Sequence, residues 1–161
     1  IGCGTLRAGR HFIAYLDAGC YAGIDLSTEA IAFANAFVRE NSLESKSPDL
    51  RVNKSQELDF ETYDGRKFDF LLAHSVFTHL LPEHIEKCFS NLHRIMSEES
   101  RFYFTFFPAN DDEISIRNYK NVYLPRCFFE KLAEKHSLLL LNHDKDYPHP
   151  RGQAMFSVRL L

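Results

Sequence analysis

No stretch of this 161-residue sequence nears the roughly 20 consecutive apolar residues that a membrane-spanning helix needs. No basic segment leads into an apolar one as in a secretory leader, so no membrane partner and a cytoplasmic location are expected. An excess of positive charge is also missing: 19 Lys and Arg against 22 Asp and Glu give a net charge of −3. No field gathers a polyanion, and no nucleic-acid partner is expected. The four cysteines, Cys3, Cys20, Cys88 and Cys127, are scattered without a CxxC pair, as in a reduced cytosolic protein. Internal repeats, low-complexity tracts and long linkers are lacking, so residues 1–161 read as one domain. Neither a Ser-His-Asp elbow nor a Cys-His pair is evident, which disfavours hydrolysis.

What is present is an ordinary globular composition, 45% hydrophobic and 25% charged, in a chain long enough to bury a core unaided. Helical and extended patterns alternate, the signature of a parallel sheet wrapped by helices. Gly9 to Leu16 reads as a helix, Tyr21 to Ile24 as a strand ending at Asp25, and Thr28 to Glu40 as a helix capped by Ser27. Leu50 to Val52 is a short strand. The apolar run Phe68 to Ala73 suits a central strand covered on both faces. Pro82 opens a helix to Met96, and Arg101 to Phe107 is a further strand. Pro108 to Asn121 reads as a long polar loop and a candidate lid over substrate. Pro125 to His136 is a helix. Leu138 to Asn142 and Ala154 to Leu160, with no helix between them, must pair antiparallel. The fold class expected is α/β, doubly wound and Rossmann-like, mostly parallel, with an antiparallel C-terminal hairpin strand.

The chemistry concentrates at the start. Gly2 and Gly4 allow a tight turn and a close ligand approach, because no Cβ intervenes. About twenty residues on, Asp25 ends a strand, where its carboxylate can accept hydrogen bonds from the two hydroxyls of a ribose. Together they point to a nucleoside-containing ligand at the carboxyl ends of parallel strands. The sequence begins on this turn, so the strand leading into it and any earlier helix are expected to lie outside the sequence.

Gly2-Cys3-Gly4 with Gly9, Gly23-Ile24-Asp25-Leu26-Ser27, the run Phe68 to Leu80 and the closing strand pair together resemble the class I S-adenosylmethionine-dependent methyltransferases, over essentially the whole chain. The resemblance implies a seven-stranded sheet whose last strand is antiparallel, S-adenosyl-L-methionine as cofactor, and methyl transfer by in-line displacement to an acceptor. It implies cofactor contacts from Gly2, Cys3, Gly4, Thr5, Arg7, Gly9, Asp25, Leu26, Ala73, His74 and Ser75. Many relatives meet the adenine amino group with an acid after the third strand. Here that stretch is Asn53 to Glu57, and Ser55, Gln56 or a backbone group is the expected substitute. A nicotinamide enzyme would carry G-x-G-x-x-G, but Arg7 stands at the third glycine's place.

Beyond the fourth strand of that family, Phe77 is a candidate to face the sulfonium or acceptor, and His79 a candidate base. His149 and Arg151, with Gln153, are candidate acceptor contacts in the last hairpin. His74, His79 and His84 recur at intervals of five, which does not align on a helix face, so no metal is expected there. Asp111-Asp112-Glu113 reads as a solvated loop rather than a cation site. The amino-methylating DNA enzymes need an N/D-P-P-aromatic tetrad, the cytosine type a Pro-Cys nucleophile and the protein-arginine type a double-glutamate loop. None of these is found, which leaves a small-molecule acceptor. Two alternatives stay open: a non-catalytic cofactor- or partner-binding module of the same fold, and an NAD-binding oxidoreductase. The sequence sets no oligomeric state.

Overall fold

The computed structural model describes residues 1–53, 55, 58–110, 113–117 and 120–161, with residue 117 by its backbone alone. The chain divides into two compact units, Ile1–Gln56 and Glu57–Leu161.

The first unit carries α1 (Gly9–Tyr15), β1 (Ala22–Asp25), α2 (Thr28–Glu40) and β2 (Asp49–Val52). β1 and β2 pair in parallel, with Asp25 opposite Val52. α2 starts where expected because Ser27 has extended backbone and its Oγ accepts the Ala30 N–H at 3.0 Å. Ile31, Ala34 and Val38 form its buried stripe. Leu6, Ile13, Ala34 and Val38 make the core, with Tyr21, Phe37, Leu43 and Leu50 packed against it. The apolar effect thus draws the loop residue Leu6, despite its positive φ of 65°, beneath the glycine turn.

The second unit carries β3 (Phe70–Ala73), α3 (Pro82–Ile95), β4 (Arg101–Pro108), β5 (Ser115–Arg117), β6 (Asn121–Leu124), α4 (Arg126–Lys135), β7 (Leu138–Asn142) and β8 (Ala154–Leu160). Its sheet is built around β4, which pairs in parallel with β3, antiparallel with β8 along residues 102–106, and in parallel with β6 at Phe107 and Pro108. β7 joins the other edge of β8 antiparallel, with the boundaries the sequence suggests. Pro82 sits in the first turn of α3, where its missing N–H costs nothing, and Lys67 Nζ caps the far end by donating to the carbonyls of His93 and Arg94 at 2.6 and 3.1 Å.

The core of this unit is aromatic. Phe77, Phe89, Phe102, Phe104, Phe106 and Phe129 are all fully buried. Phe129 lies 4.5 Å from Phe106 and 4.9 Å from Phe104 between ring centroids. Phe77 meets Phe102, Phe89 meets Phe104 and Phe106 meets Phe156 edge-on, an arrangement that ring quadrupoles prefer.

Two expectations are corrected here. Residues 108–121 are not one open loop: β5 lies within this stretch and pairs antiparallel with β6, which begins at its end, with Ile116 opposite Val122. The run ending at Ala73 is not covered on both faces either, since Phe70 is 74% exposed.

Candidate functional site

In the first unit the site is a backbone turn held by a carboxylate. Gly2 and Gly4 have φ of 61° and 52°, the left-handed region where a Cβ is penalised. The Cys3 N–H donates to the Ile24 carbonyl at 2.9 Å and so ties the turn to β1. The Asp25 carboxylate then ties the glycine turn to the residue that caps α2. Its Oδ2 accepts the Gly4 N–H at 2.8 Å and its Oδ1 accepts the Ser27 N–H at 2.9 Å. The Asp25 carbonyl accepts the Asn53 N–H at 2.8 Å, which holds the start of the next loop beside it.

A carboxylate offers about four acceptor positions, and the two inward bonds use one on each oxygen. Each oxygen therefore keeps acceptor capacity for a vicinal diol. A Cβ built on Gly4 meets nothing within 4 Å, so the turn borders open space. Leu26, next to the clamp, is 49% exposed, an apolar surface available to a flat base. Arg7 and Thr5 are exposed, and among the described residues no partner is seen on the Arg7 guanidinium.

Other expected contacts have packing jobs. Gly9 is buried in α1, where an added Cβ would collide with the Tyr21 hydroxyl and the Leu6 side chain. Its missing side chain serves helix packing. The Cys3 side chain sits against Gly23, and burial pushes its thiol up to about 11, so it is an inert filler. Ser55 accepts the Asn53 side-chain amide on its carbonyl at 3.0 Å. Gln56, like Asp111 and Asp112, lies outside the described residues.

In the second unit the residues after β3 gather around Ser75. Ala73 is fully buried as the last strand residue. Ser75 has a φ of 58°, unusual for a residue with a side chain. Three segments hold it there. Its N–H donates to Thr105 Oγ1 at 2.7 Å, its carbonyl accepts the Thr78 hydroxyl at 2.9 Å, and its own hydroxyl donates to Gln153 Oε1 at 3.1 Å. Gln153, read from the sequence as a candidate acceptor contact, is buried to 4% exposure and braces Ser75.

His74 Nε2 lies 2.8 Å from the Tyr147 hydroxyl, and the His74 and His149 rings meet edge-on at 6.1 Å. Tyr147 and His149 stack at 5.5 Å. Burial pushes the Tyr147 phenol up from its ordinary value, which keeps it protonated at neutral pH. The Arg151 N–H donates to His149 Nδ1 at 3.2 Å, so the neutral His149 ring carries its proton on Nε2. The Arg151 guanidinium lies 5.5 Å from the Phe107 ring centroid, within cation–π range. Thus His74 and His149 come together as parts of one cluster. Tyr147, which joins them, was missed, because nothing in its local sequence indicates a partner 73 positions away.

His79 Nδ1 is 2.7 Å from the Lys120 carbonyl. A carbonyl only accepts, so the proton sits on Nδ1 and Nε2 carries the lone pair. Phe77, expected to face a ligand, is instead fully buried, stacked on Phe129 at 6.3 Å and tilted against Phe104 at 5.2 Å. It belongs to the core. Among the described residues no group of three or more His, Cys, Asp or Glu converges as a cation site would require. Nor is any helix among them long and apolar enough to cross a membrane.

A family model described as "Methyltransferase domain" matches residues 1–102. Among solved structures, the chain is similar to the magnesium protoporphyrin IX methyltransferase of Synechocystis with bound SAM, at TM-score 0.73 and 14% identity over 99% of this chain and 67% of that one. It is similar to an S-adenosylmethionine-dependent methyltransferase of Clostridium acetobutylicum at TM-score 0.72 and 15% identity, over 99% and 81%. The glycopeptide N-methyltransferase MtfA matches at TM-score 0.75 and 8% identity, again over 99% and 81%. The glycine turn, the acid that clamps it, the antiparallel closing strand and these matches converge: the chain belongs to the methyltransferase-domain family, with the Rossmann-like α/β fold of the class I S-adenosylmethionine-dependent methyltransferases.

Proposed function

We propose that this chain binds S-adenosyl-L-methionine and transfers its methyl group to a small-molecule acceptor by in-line displacement. The observation that carries the reading is the Asp25 clamp, which fixes the glycine turn and leaves acceptor capacity on both carboxylate oxygens. In this reading Asp25 takes the ribose hydroxyls, the backbone of Gly2 to Thr5 borders the methionine end, Leu26 covers one face of the adenine, and Arg7 pairs with the carboxylate. Ser55 and Gln56 are proposed near the adenine amino group, with Ala73, His74 and Ser75 as further cofactor contacts. The bound cofactor supplies a methyl already activated by positive sulfur, so the chain's own work is positioning and exclusion of water.

A base is needed where the acceptor is a weakly acidic hydroxyl. His79, with its lone pair on Nε2, is suited to that, and His149 and Arg151 supply donors to orient a polar acceptor. By their names, two structural neighbours act on a porphyrin and on a glycopeptide. The preference for a small molecule therefore rests on the absent DNA- and arginine-methylating motifs.

Calorimetric titration with S-adenosylhomocysteine tests the reading, with NADH as the control. Saturable one-to-one binding of the former alone is expected; the absence of binding would refute the proposal. Binding without transfer to any member of a broad acceptor panel would leave the cofactor grip standing and remove the catalysis.

A further inference from the structure

The cluster around Ser75 orders its protons as well as its side chains. Gln153 Nε2 donates to Ser75 Oγ at 3.0 Å, and the Ser75 hydroxyl donates to Gln153 Oε1. Ser75 Oγ lies 3.4 Å from His74 Nδ1, and with the hydroxyl proton directed to Gln153 it can accept from the ring tautomer that carries its proton on Nδ1. In that tautomer His74 Nε2 carries the lone pair, and the Tyr147 phenol donates across the 2.8 Å contact. The phenolic oxygen keeps lone pairs for a donor arriving from solvent, and Tyr147 is only half-buried.

The braces are unusually thorough for a surface turn. Thr105, fully buried, and Gln153, at 4% exposure, both spend their polar atoms on Ser75, which stays in the left-handed region. A non-glycine residue held there at an energetic cost marks a position whose direction matters.

We propose that Tyr147 and His74 form a proton-accepting dyad for the methyl acceptor's O–H or N–H, with Ser75 and Gln153 as the positioning residues that set its tautomer. The acceptor's X–H bond breaks and its proton bonds to the Tyr147 oxygen. The phenolic proton passes to His74 Nε2, and the X–H electron pair stays on X as the nucleophile. The exposed His74 imidazolium then returns its proton to water. This inference rests on the proposed methyl transfer. It names the acceptor class as a weakly acidic hydroxyl or a protonated amine, because an oxyanion or a neutral amine already has its nucleophilic lone pair and needs no such relay. It differs from a base role for His79 in having a second proton acceptor behind the first.

Two measurements on the full chain test it. Nitrogen-15 spectra of the histidine rings should show His74 protonated on Nδ1 and unprotonated on Nε2, with Gln153→Leu or Tyr147→Phe shifting it toward the Nε2–H form. A wild-type ring protonated on Nε2 overturns the dyad. Methyl transfer from labelled S-adenosylmethionine is then measured on phenols graded from phenol to 4-nitrophenol. Tyr147→Phe should lower kcat on the least acidic one by about 100-fold and on the ionised one by less than about threefold; equal losses on both overturn the proposal. If the wild type binds S-adenosylhomocysteine but methylates no phenol, the ring spectra alone decide. If S-adenosylhomocysteine does not bind at all, it is the methyltransferase reading that falls.

Discussion

Replacing Asp25 tests whether the turn is held by its carboxylate or by the chain around it. In Asp25→Ala the N–H groups of Gly4 and Ser27 lose acceptors at 2.8 and 2.9 Å. Hydrogen bonds to a charged acceptor contribute about 1.5–3 kcal/mol each. Both groups are only partly buried, so water recovers some of this, and a combined loss of about 2–3 kcal/mol is expected. That is a large share of the roughly 5–15 kcal/mol that holds a domain folded. Asp25→Asn separates the two bonds. Its single carbonyl oxygen keeps one N–H, while its amide, a donor, opposes the other, so about half the loss is expected. The cap of α2 survives in both variants, because the Ser27 hydroxyl serves Ala30 independently. Urea unfolding followed by circular dichroism should move the Asp25→Ala midpoint down by about 1 M with an unchanged slope. Hydrogen exchange at Gly4 and Ser27 should quicken before any other amide of the unit. A loss under about 0.5 kcal/mol, or equal losses in both variants, would refute the clamp.

Gly9→Ala should cost about 1–3 kcal/mol in the same assay, because its Cβ meets the Tyr21 hydroxyl and the Leu6 side chain. Phe129→Ala should cost about 3–5 kcal/mol, since the ring is fully buried among Phe77, Phe104, Phe106 and Phe156, whereas exposed Phe70→Ser should cost under about 1 kcal/mol. Burial and then the neighbouring Lys135 hold His136 below its ordinary pKa, with Glu86 pulling weakly the other way, and its buried Nε2 has no hydrogen-bond partner among the described residues. The folded state therefore resists protonation. This contribution is intact above about pH 6.5 and is lost as pH falls from there toward the lowered folded value. His136→Gln should flatten the stability–pH curve in that window, as urea midpoints across it would show.

Elements whose cause is local were legible in the sequence. Ser27 caps α2 because its own hydroxyl reaches Ala30, and β7 and β8 stand out as apolar runs around a proline-rich turn. The β5–β6 hairpin was not legible: its strands are three and four residues long, and their support comes from the end of β4. Phe77 was misplaced for a similar reason. An aromatic just past a strand looks like a ligand contact, and residues 89, 102, 104 and 129, later in the chain, turn it into core. In the candidate site, Asp25 and the glycines were visible because backbone conformation demands them. Gln153 and Tyr147 act through distant partners, for which the sequence carries no local mark.

The account stands or falls on whether the Asp25-clamped glycine turn is where the nucleoside binds. Backbone amide spectra recorded during titration with S-adenosylhomocysteine measure this directly. The account predicts the largest shifts at Gly2, Gly4 and Asp25 through Ser27, saturating together. Saturable binding that leaves these amides unmoved would contradict it.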